Sequence, residues 1–339
     1  MIRYIKNGSF LLIVALAFAC GNVKVDKASL PNSSGKYGEV LVVVDSSFEN
    51  RKTGEQLEQI FYKAMVGMPQ QEAMFRMSTV APRGFQSILK RSRNVLKLSI
   101  GKGKKTDIII ERDVWAKNQL FIQITAASDE DAARILEKNR KTIRDYFNEE
   151  ELKRLKEQYS IKPQDDLISG MEEKHQLSLL VPPGFIKVDD FSNGFWLKKE
   201  KSIGEHQVIQ GLSVYYSPYD QDSVFKTSYM VELRNVFTEK YIQGVRDSSY
   251  MQVYGEYLPE TQEINLNGSY AVEYRGLWNM TNDLMGGPFL HYTFVDEENN
   301  RVINLDGFVF APKFNKREYL RELEAIMKSV KVVSSEKAT

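Results

Sequence analysis

Apolar and polar positions fall into three regimes along the chain. Phe10 to Phe18 is an unbroken nonpolar run. It has the length of a signal-peptide core and is short for a bilayer span. The next stretch is polar, holds Pro31 and Gly35, and has no period. That predicts a leader over 1–19 and a tether over 20–36. From Glu39 onward the pattern is that of packed elements. Glu39-Val-Leu-Val-Val-Val44 predicts a buried strand. Thr53-Gly-Glu-Gln56 reads as a capping box, ahead of a helical face of Leu57, Ile60, Phe61, Ala64 and Met65. Phe75–Val80 and Leu96–Ile100 predict strands, and Ile108–Glu111 with Leu120–Thr125 predicts a hairpin. Ser128 opens a long helix with Ala132, Leu136, Ile143 and Phe147 inward. The expectation over 37–160 is an α+β layer, with helices on one face of a largely antiparallel sheet in a ferredoxin-like arrangement.

Residues 161–174 are polar, with Pro163 and Gly170, and read as a connector. A second α+β domain is expected over 175–333, again a mostly antiparallel sheet packed by helices. Leu177–Phe185, Gly194–Leu197 and Gly211–Tyr216 predict strands, and Ser223–Phe237 predicts a helix. Ser269 to Trp278 alternates with period two, and Pro288–Asp296 with Arg301–Phe310 forms a hairpin pattern. Asn315-Lys-Arg-Glu318 is expected to cap a last helix carrying Leu320, Leu323, Ile326 and Met327. Residues 334–339 read as a disordered tail.

Charge adds little pull toward any partner. The formal net charge is +1, and removal of 1–19 takes away Arg3 and Lys6 and no acid, leaving −1. No basic block with interleaved aromatics is present, so no nucleic-acid partner is expected. Cysteine changes the picture more. Cys20 is the only one in the sequence and follows Leu16-Ala17-Phe18-Ala19 directly. Small residues before a cysteine at the end of an apolar core resemble the lipobox of bacterial lipoproteins, with Ala17 where that motif most often has Leu. The resemblance implies cleavage before Cys20 and lipid on its thiol, hence a membrane partner through acyl chains.

Catalytic signatures are sparse. His175, His206 and His291 are far apart, and none belongs to a metal-binding motif. No metal or cofactor is expected. Gly101-Lys-Gly-Lys-Lys105 lacks the ending of a phosphate-binding loop and reads as a turn. The polar loop Met280–Gly287 leads into Phe289 and His291, so Gly286, Gly287, Phe289 and His291 are the candidate rim of a binding surface. Met68-Pro-Gln-Gln-Glu72 is a second unusually polar stretch, read as a turn ahead of a recognition loop. Two functions follow. One is a non-catalytic envelope module that binds a protein or envelope component. The other is a periplasmic, hydrolase-like enzyme assembled near His291.

Val181-Pro-Pro-Gly-Phe185, Asn267 to Ala271 and the last hairpin and helix resemble the fold shared by the photosystem accessory protein PsbP and the Ran-binding protein Mog1. That resemblance implies a binding or assembly module. The lipobox-like end, Ser34 to Asp45, Met68 to Glu72 and Gly286-Gly-Pro-Phe289 resemble an uncharacterised lipoprotein family of Bacteroidetes, known as a domain of unknown function. In that group an acidic run after the cysteine directs export to the surface. Gly21 to Lys27 has no such run, so the resemblance implies the outer membrane, facing the periplasm.

Overall fold

The computed structural model describes residues 27–219 and 221–333. Its fold is α+β and rests on two large sheets. The first half contains β1 (Glu39–Val43), α1 (Lys52–Phe61), β2 (Arg76–Val80), β3 (Asn94–Ile100), β4 (Asp107–Arg112), β5 (Leu120–Ala126), α2 (Asp129–Lys138) and α3 (Arg140–Ile161). Its strands lie in the order β2-β1-β3-β5-β4.

The direction of this sheet corrects the expectation. β1 runs parallel to β2 and β3, β3 runs parallel to β5, and only β4 is antiparallel to its neighbour. The sheet is neither mostly antiparallel nor ferredoxin-like. Helix α1 returns the chain to the starting end of β1, so β2 enters parallel. The β4–β5 hairpin then places its second strand, not its first, beside β3. The unbroken run of β1 has the same origin, because a strand covered on both faces needs no alternation. Val40, Val42 and Val44 pack with Leu57, Phe61 and Phe147. Leu41 and Val43 face the other way, toward Phe85, Val95 and Phe121.

Two local details also differ. Thr53 does not cap α1; Arg51 precedes the helix. Instead the Thr53 hydroxyl lies 2.6 Å from Asp129 Oδ1, tying α1 to the start of α2. Ser128 does cap α2, accepting the Asp131 amide at 3.2 Å. The single long helix expected there breaks at Asn139, whose side-chain amide donates to the Ile135 carbonyl.

The polar connector carries a helix, α4 (Asp165–His175), ended by Gln176 in the left-handed region at φ 52°. Then follow β6 (Leu177–Ser178), β7 (Phe185–Phe191), β8 (Gly194–Ile203), β9 (His206–Pro218), α5 (Thr227–Tyr241), β10 (Met251–Val253), β11 (Glu260–Leu266), β12 (Ser269–Met280), β13 (Gly286–Asp296), β14 (Arg301–Phe310), α6 (Arg317–Met327) and β15 (Lys331–Val332). The second sheet runs β10-β12-β13-β14-β9-β8-β7, with β11 also on β12, and its pairings are antiparallel. β6 and β15 form a separate short pair. Met230 and Phe237 of α5 fill one face of the large sheet with Trp278, Phe289 and Phe308. Leu320, Leu323 and Ile326 of α6 fill the other with Leu290, Tyr292 and Leu305.

The α6-side core does not stop at the second half. Met65, Leu152, Leu155 and Tyr159 of the first half belong to it. Helix α6 is therefore packed between the second sheet and the first half. Its N-terminus is held by Glu72, whose carboxylate accepts the amides of Lys316 at 2.8 Å and Arg317 at 2.9 Å. Asn315 is the cap expected from sequence; Lys316 is the capping position and its side chain caps nothing. A carboxylate at a helix start satisfies free amides and opposes the positive end of the helix dipole. Arg321, fully buried, adds a bond to the Met74 carbonyl at 3.0 Å. Gly67 sits at φ 75° with its backbone against Gly276, where a Cβ would meet the Gly276 nitrogen at 3.0 Å. The halves thus meet through backbone, charge and a shared core.

Candidate functional site

A cleft of about 570 Å³ opens between the halves. Lys63, Lys141, Arg144 and Asn148 line it from the first half; β11, Glu273, Arg275, Glu324 and Lys328 line it from the second. Its volume lies in the range of ligand clefts, roughly 300–1,000 Å³.

The floor is a chain of charges. Strand alternation on β12 turns Glu273 and Arg275 toward α6. Arg275 Nε is 2.7 Å from Glu273 Oε1, and its Nη2 is 2.9 Å from Glu324 Oε2. One turn along α6, Lys328 Nζ lies 3.0 Å from Glu324 Oε1. The Tyr292 hydroxyl donates to Glu273 Oε2 at 3.1 Å. Burial alone would raise the pKa of Glu324, but Arg275 and Lys328 outweigh it and hold the carboxyl below its usual range. Burial works against the charge on Arg275 and Lys328 too, and the two carboxylates push both pKa values up instead. Tyr292 is pushed up by burial first and by the Glu273 charge second. The floor thus pairs two basic side chains with two acidic ones.

The first-half wall differs. Lys141 is paired with Asp145 at 2.7 Å. Arg144 is half-buried and has no carboxylate in ion-pair range among the described residues; its Nη1 reaches only the Gln59 carbonyl, at 3.4 Å. Burial lowers its pKa, only partly offset by Asp145. Lys63 is exposed and likewise has no carboxylate partner among the described residues. Asp145 and Glu149 lie on the same wall and Glu260 and Glu263 on β11 opposite, so cations and carboxylates alternate around the cleft.

The residues expected to rim a site lie elsewhere. Phe289 and His291 are 0% exposed, Gly287 is buried and Gly286 is half-buried at the start of β13. A Cβ on Gly287 would meet the Val309 carbonyl oxygen at 2.0 Å, so its glycine is demanded by strand packing. His291 Nδ1 is 3.1 Å from Asp306 Oδ2, and Nε2 is 3.1 Å from Thr293 Oγ1 and 3.2 Å from Asn304 Oδ1. Arg234, fully buried on α5, bonds both Asp306 oxygens at 2.7 and 3.1 Å and stacks over Phe289. Burial alone would raise the Asp306 pKa; Arg234 and His291 bring it below the usual range. Both ring nitrogens of His291 are bonded within the core beneath α5. Of the four expected rim residues, Gly287, Phe289 and His291 are core and Gly286 is half-buried. Cys20 lies outside the described residues.

A second depression, of about 820 Å³, is lined by Tyr219, Asp222, Phe225, Tyr270 and Glu298. Among the described residues no group of three or more His, Cys, Asp or Glu side chains is placed to hold a metal. Among them, too, no helix is long and apolar enough to cross a membrane, which says nothing of spans made by strands.

The chain thus carries two modules joined face to face, and comparison with known proteins divides it the same way. Residues 33–160 match a domain of unknown function, DUF8532, and residues 164–329 match another, DUF4837. Among solved structures, the chain is similar to the Ran-binding protein Mog1p of Saccharomyces cerevisiae, at 11% identity over 48% of this chain and 92% of that one, with a TM-score of 0.31. A point mutant of protein Mog1 shows 10% identity over 48% and 93%, with a TM-score of 0.28. LpqN of Mycobacterium tuberculosis, described as involved in cell envelope biogenesis, shows 13% identity over 47% and 83%, with a TM-score of 0.29. No curated protein matches the chain.

Proposed function

We propose that this protein is a cell-envelope lipoprotein, anchored by lipid on Cys20, that acts as a non-catalytic binding module through the cleft between its halves. The observation that carries the binding role is the cleft itself. It is walled by both halves, floored by charges that satisfy one another, and rimmed by charged side chains of both signs. A floor whose charged side chains are engaged with one another suits recognition rather than bond breaking. The anchor rests on the apolar run, the small residues before Cys20 and the polar tether after it. The absence of an acidic run after Cys20 supports the outer membrane, facing the periplasm, as its address. The partner of such a module is another envelope protein or component.

Two measurements test this. Photocrosslinkers placed at Lys63 and at Gln262, on opposite walls of the cleft, should capture the same partner in intact cells. A crosslinker at exposed Ile88, away from the cleft, should not. Capture equal at all three positions would remove the cleft from the proposal. Fatty-acid labelling should mark the wild type and spare Cys20→Ser; equal labelling of both would remove the anchor.

A further inference from the structure

The polar loop over 281–285 is tied to a second loop, over 243–250, which follows α5. Thr281 Oγ1 donates to the Ser248 carbonyl at 3.1 Å, and the Thr281 amide donates to the Tyr250 carbonyl at 3.0 Å. Asn282 Nδ2 reaches the same Ser248 carbonyl at 3.3 Å. Arg246 Nη1 donates to the Asn282 carbonyl at 3.4 Å, and its Nε lies 3.8 Å from Asp283 Oδ1. This bonded pair carries Leu284, 97% exposed, and Val245, 95% exposed, the two most exposed large hydrophobic side chains among the described residues. Single exposed aliphatics are ordinary on a protein surface. Two on adjoining loops, fixed to each other by side-chain and main-chain bonds, form a presented apolar tip.

Size separates the possible occupants. Two aliphatic side chains fall far short of the roughly 800 Å² that each partner gives to a standard protein interface. They suffice for a shallow contact with hydrocarbon, which needs no complementary pocket. The backbone suits that contact. The Gly244 amide bonds the Ser249 carbonyl at 2.7 Å, the Met280 amide bonds the Met285 carbonyl at 2.9 Å, and the Leu284 amide bonds Asp283 Oδ1 at 2.7 Å. Amides satisfied inside the loops can leave water at small cost. Arg246 and Asp283 offset each other, and exposed Asp247 keeps the contact at headgroup depth. Position agrees as well. The loops lie where β14 ends, since the backbone of Gly287 sits against Val309. Gln210, opposite Val309, donates to the Tyr319 carbonyl in the first turn of α6 at 3.0 Å. Gly38, just ahead of β1, packs on Glu318 and Arg321 of the same helix. The tether expected over 20–36 therefore enters the fold around the end that carries the loops.

We propose that these two loops are a membrane-contact tip, with Val245 and Leu284 entering the boundary between headgroups and acyl chains of the bilayer that holds the Cys20 lipid. The anchor supplies the affinity, and the tip sets which end of the fold faces the membrane. This rests on the anchor reading above and adds the surface that the anchor brings down.

The test uses the lipoprotein purified with its anchor, in vesicles of phosphatidylethanolamine and phosphatidylglycerol that carry spin-labelled acyl chains. Lipid on Cys20 leaves an introduced cysteine as the only free thiol, so Leu284→Cys and Val245→Cys each take one fluorophore. Ser269→Cys, exposed at the opposite end of β12, is the control. Quenching at the two loop positions should exceed the control about three-fold or more. Leu284→Asp should bring the label on Val245→Cys down to the control level, and thermal unfolding confirms that each variant folds. Equal quenching at all three positions, no quenching at the loops, or quenching that survives Leu284→Asp overturns the proposal. A photocrosslinker at Leu284 that captures a protein and not lipid in intact cells assigns the loops to a protein partner and overturns it too. If the wild type itself takes the fluorophore, the anchor reading falls, and the same series in Cys20→Ser at high vesicle concentration decides the loops by themselves.

Discussion

His291 and Tyr292 are consecutive in β13 and point to opposite faces of one sheet. Each belongs to a buried polar network built from an arginine and carboxylate. On the α5 side, Arg234 and Asp306 are 0% and 1% exposed. On the α6 side, Glu273, Arg275, Glu324 and Lys328 line an open cleft. The first network has an interior role: its charges are compensated within the core beneath α5. The second faces water on one side, so its charges can be felt by whatever enters. Chemical type is nearly the same in both; what separates them is which element covers the face. A single helix lies over His291, whereas over Tyr292 a second half of the protein leaves a gap.

The comparison breaks most sharply at Asp306. Asp306→Ala strands the Arg234 charge in the interior and should cost about 3–5 kcal/mol in urea unfolding. A loss below about 1 kcal/mol, typical of exposed pairs, would show that the sealed network is not sealed. Glu324→Gln should cost less, about 1.5–3 kcal/mol at pH 7, because the amide keeps an acceptor oxygen for Arg275 or Lys328 and loses only the charge. The same residue sets a pH dependence. Its folded carboxyl is held below the ordinary 4.5. It therefore adds stability above about pH 4.5, lost as pH falls below that value toward the folded pKa. Stability curves of wild type and Glu324→Gln should converge in that acid range; parallel curves would contradict the assignment. Glu72→Ala should cost about 0.5–2 kcal/mol through the lost cap on α6. Arg144→Ala should change stability by less than about 0.5 kcal/mol, as expected for a side chain with no ionic partner to lose. A larger loss would mean that Arg144 is structural and not spare.

Much of the fold is legible in the sequence because its cause is local. The β13–β14 hairpin, the α6 stripe and the Ser128 cap each depend on residues a few positions apart. The direction of the first sheet is not read from VLVVV as a strand alone; it needs the further question of what an absent alternation implies. Both faces of β1 are covered, and parallel pairing is the common reason. The cleft is not legible at all. Glu72 and the amides it caps are separated by 244 positions, so no window of sequence holds both. Its one local trace is the polar stretch Met68 to Glu72, costly to place between a helix and a strand unless something receives it. His291 shows the opposite failure. Its residue type suggests chemistry, but burial is a property of neighbours, and the Arg234 that seals it comes from α5, several elements earlier in the chain.

The cap on α6 also carries a timetable. A ribosome makes Glu72 long before the helix it holds, with 244 positions between the carboxylate and the Lys316 amide. Until residues 317–327 emerge, Met65, Leu152, Leu155 and Tyr159 lack the helix that completes their core. The growing chain therefore displays an apolar seam until that helix emerges. The first half completes its share of this core only when α6 arrives, so its folding waits on a segment made much later.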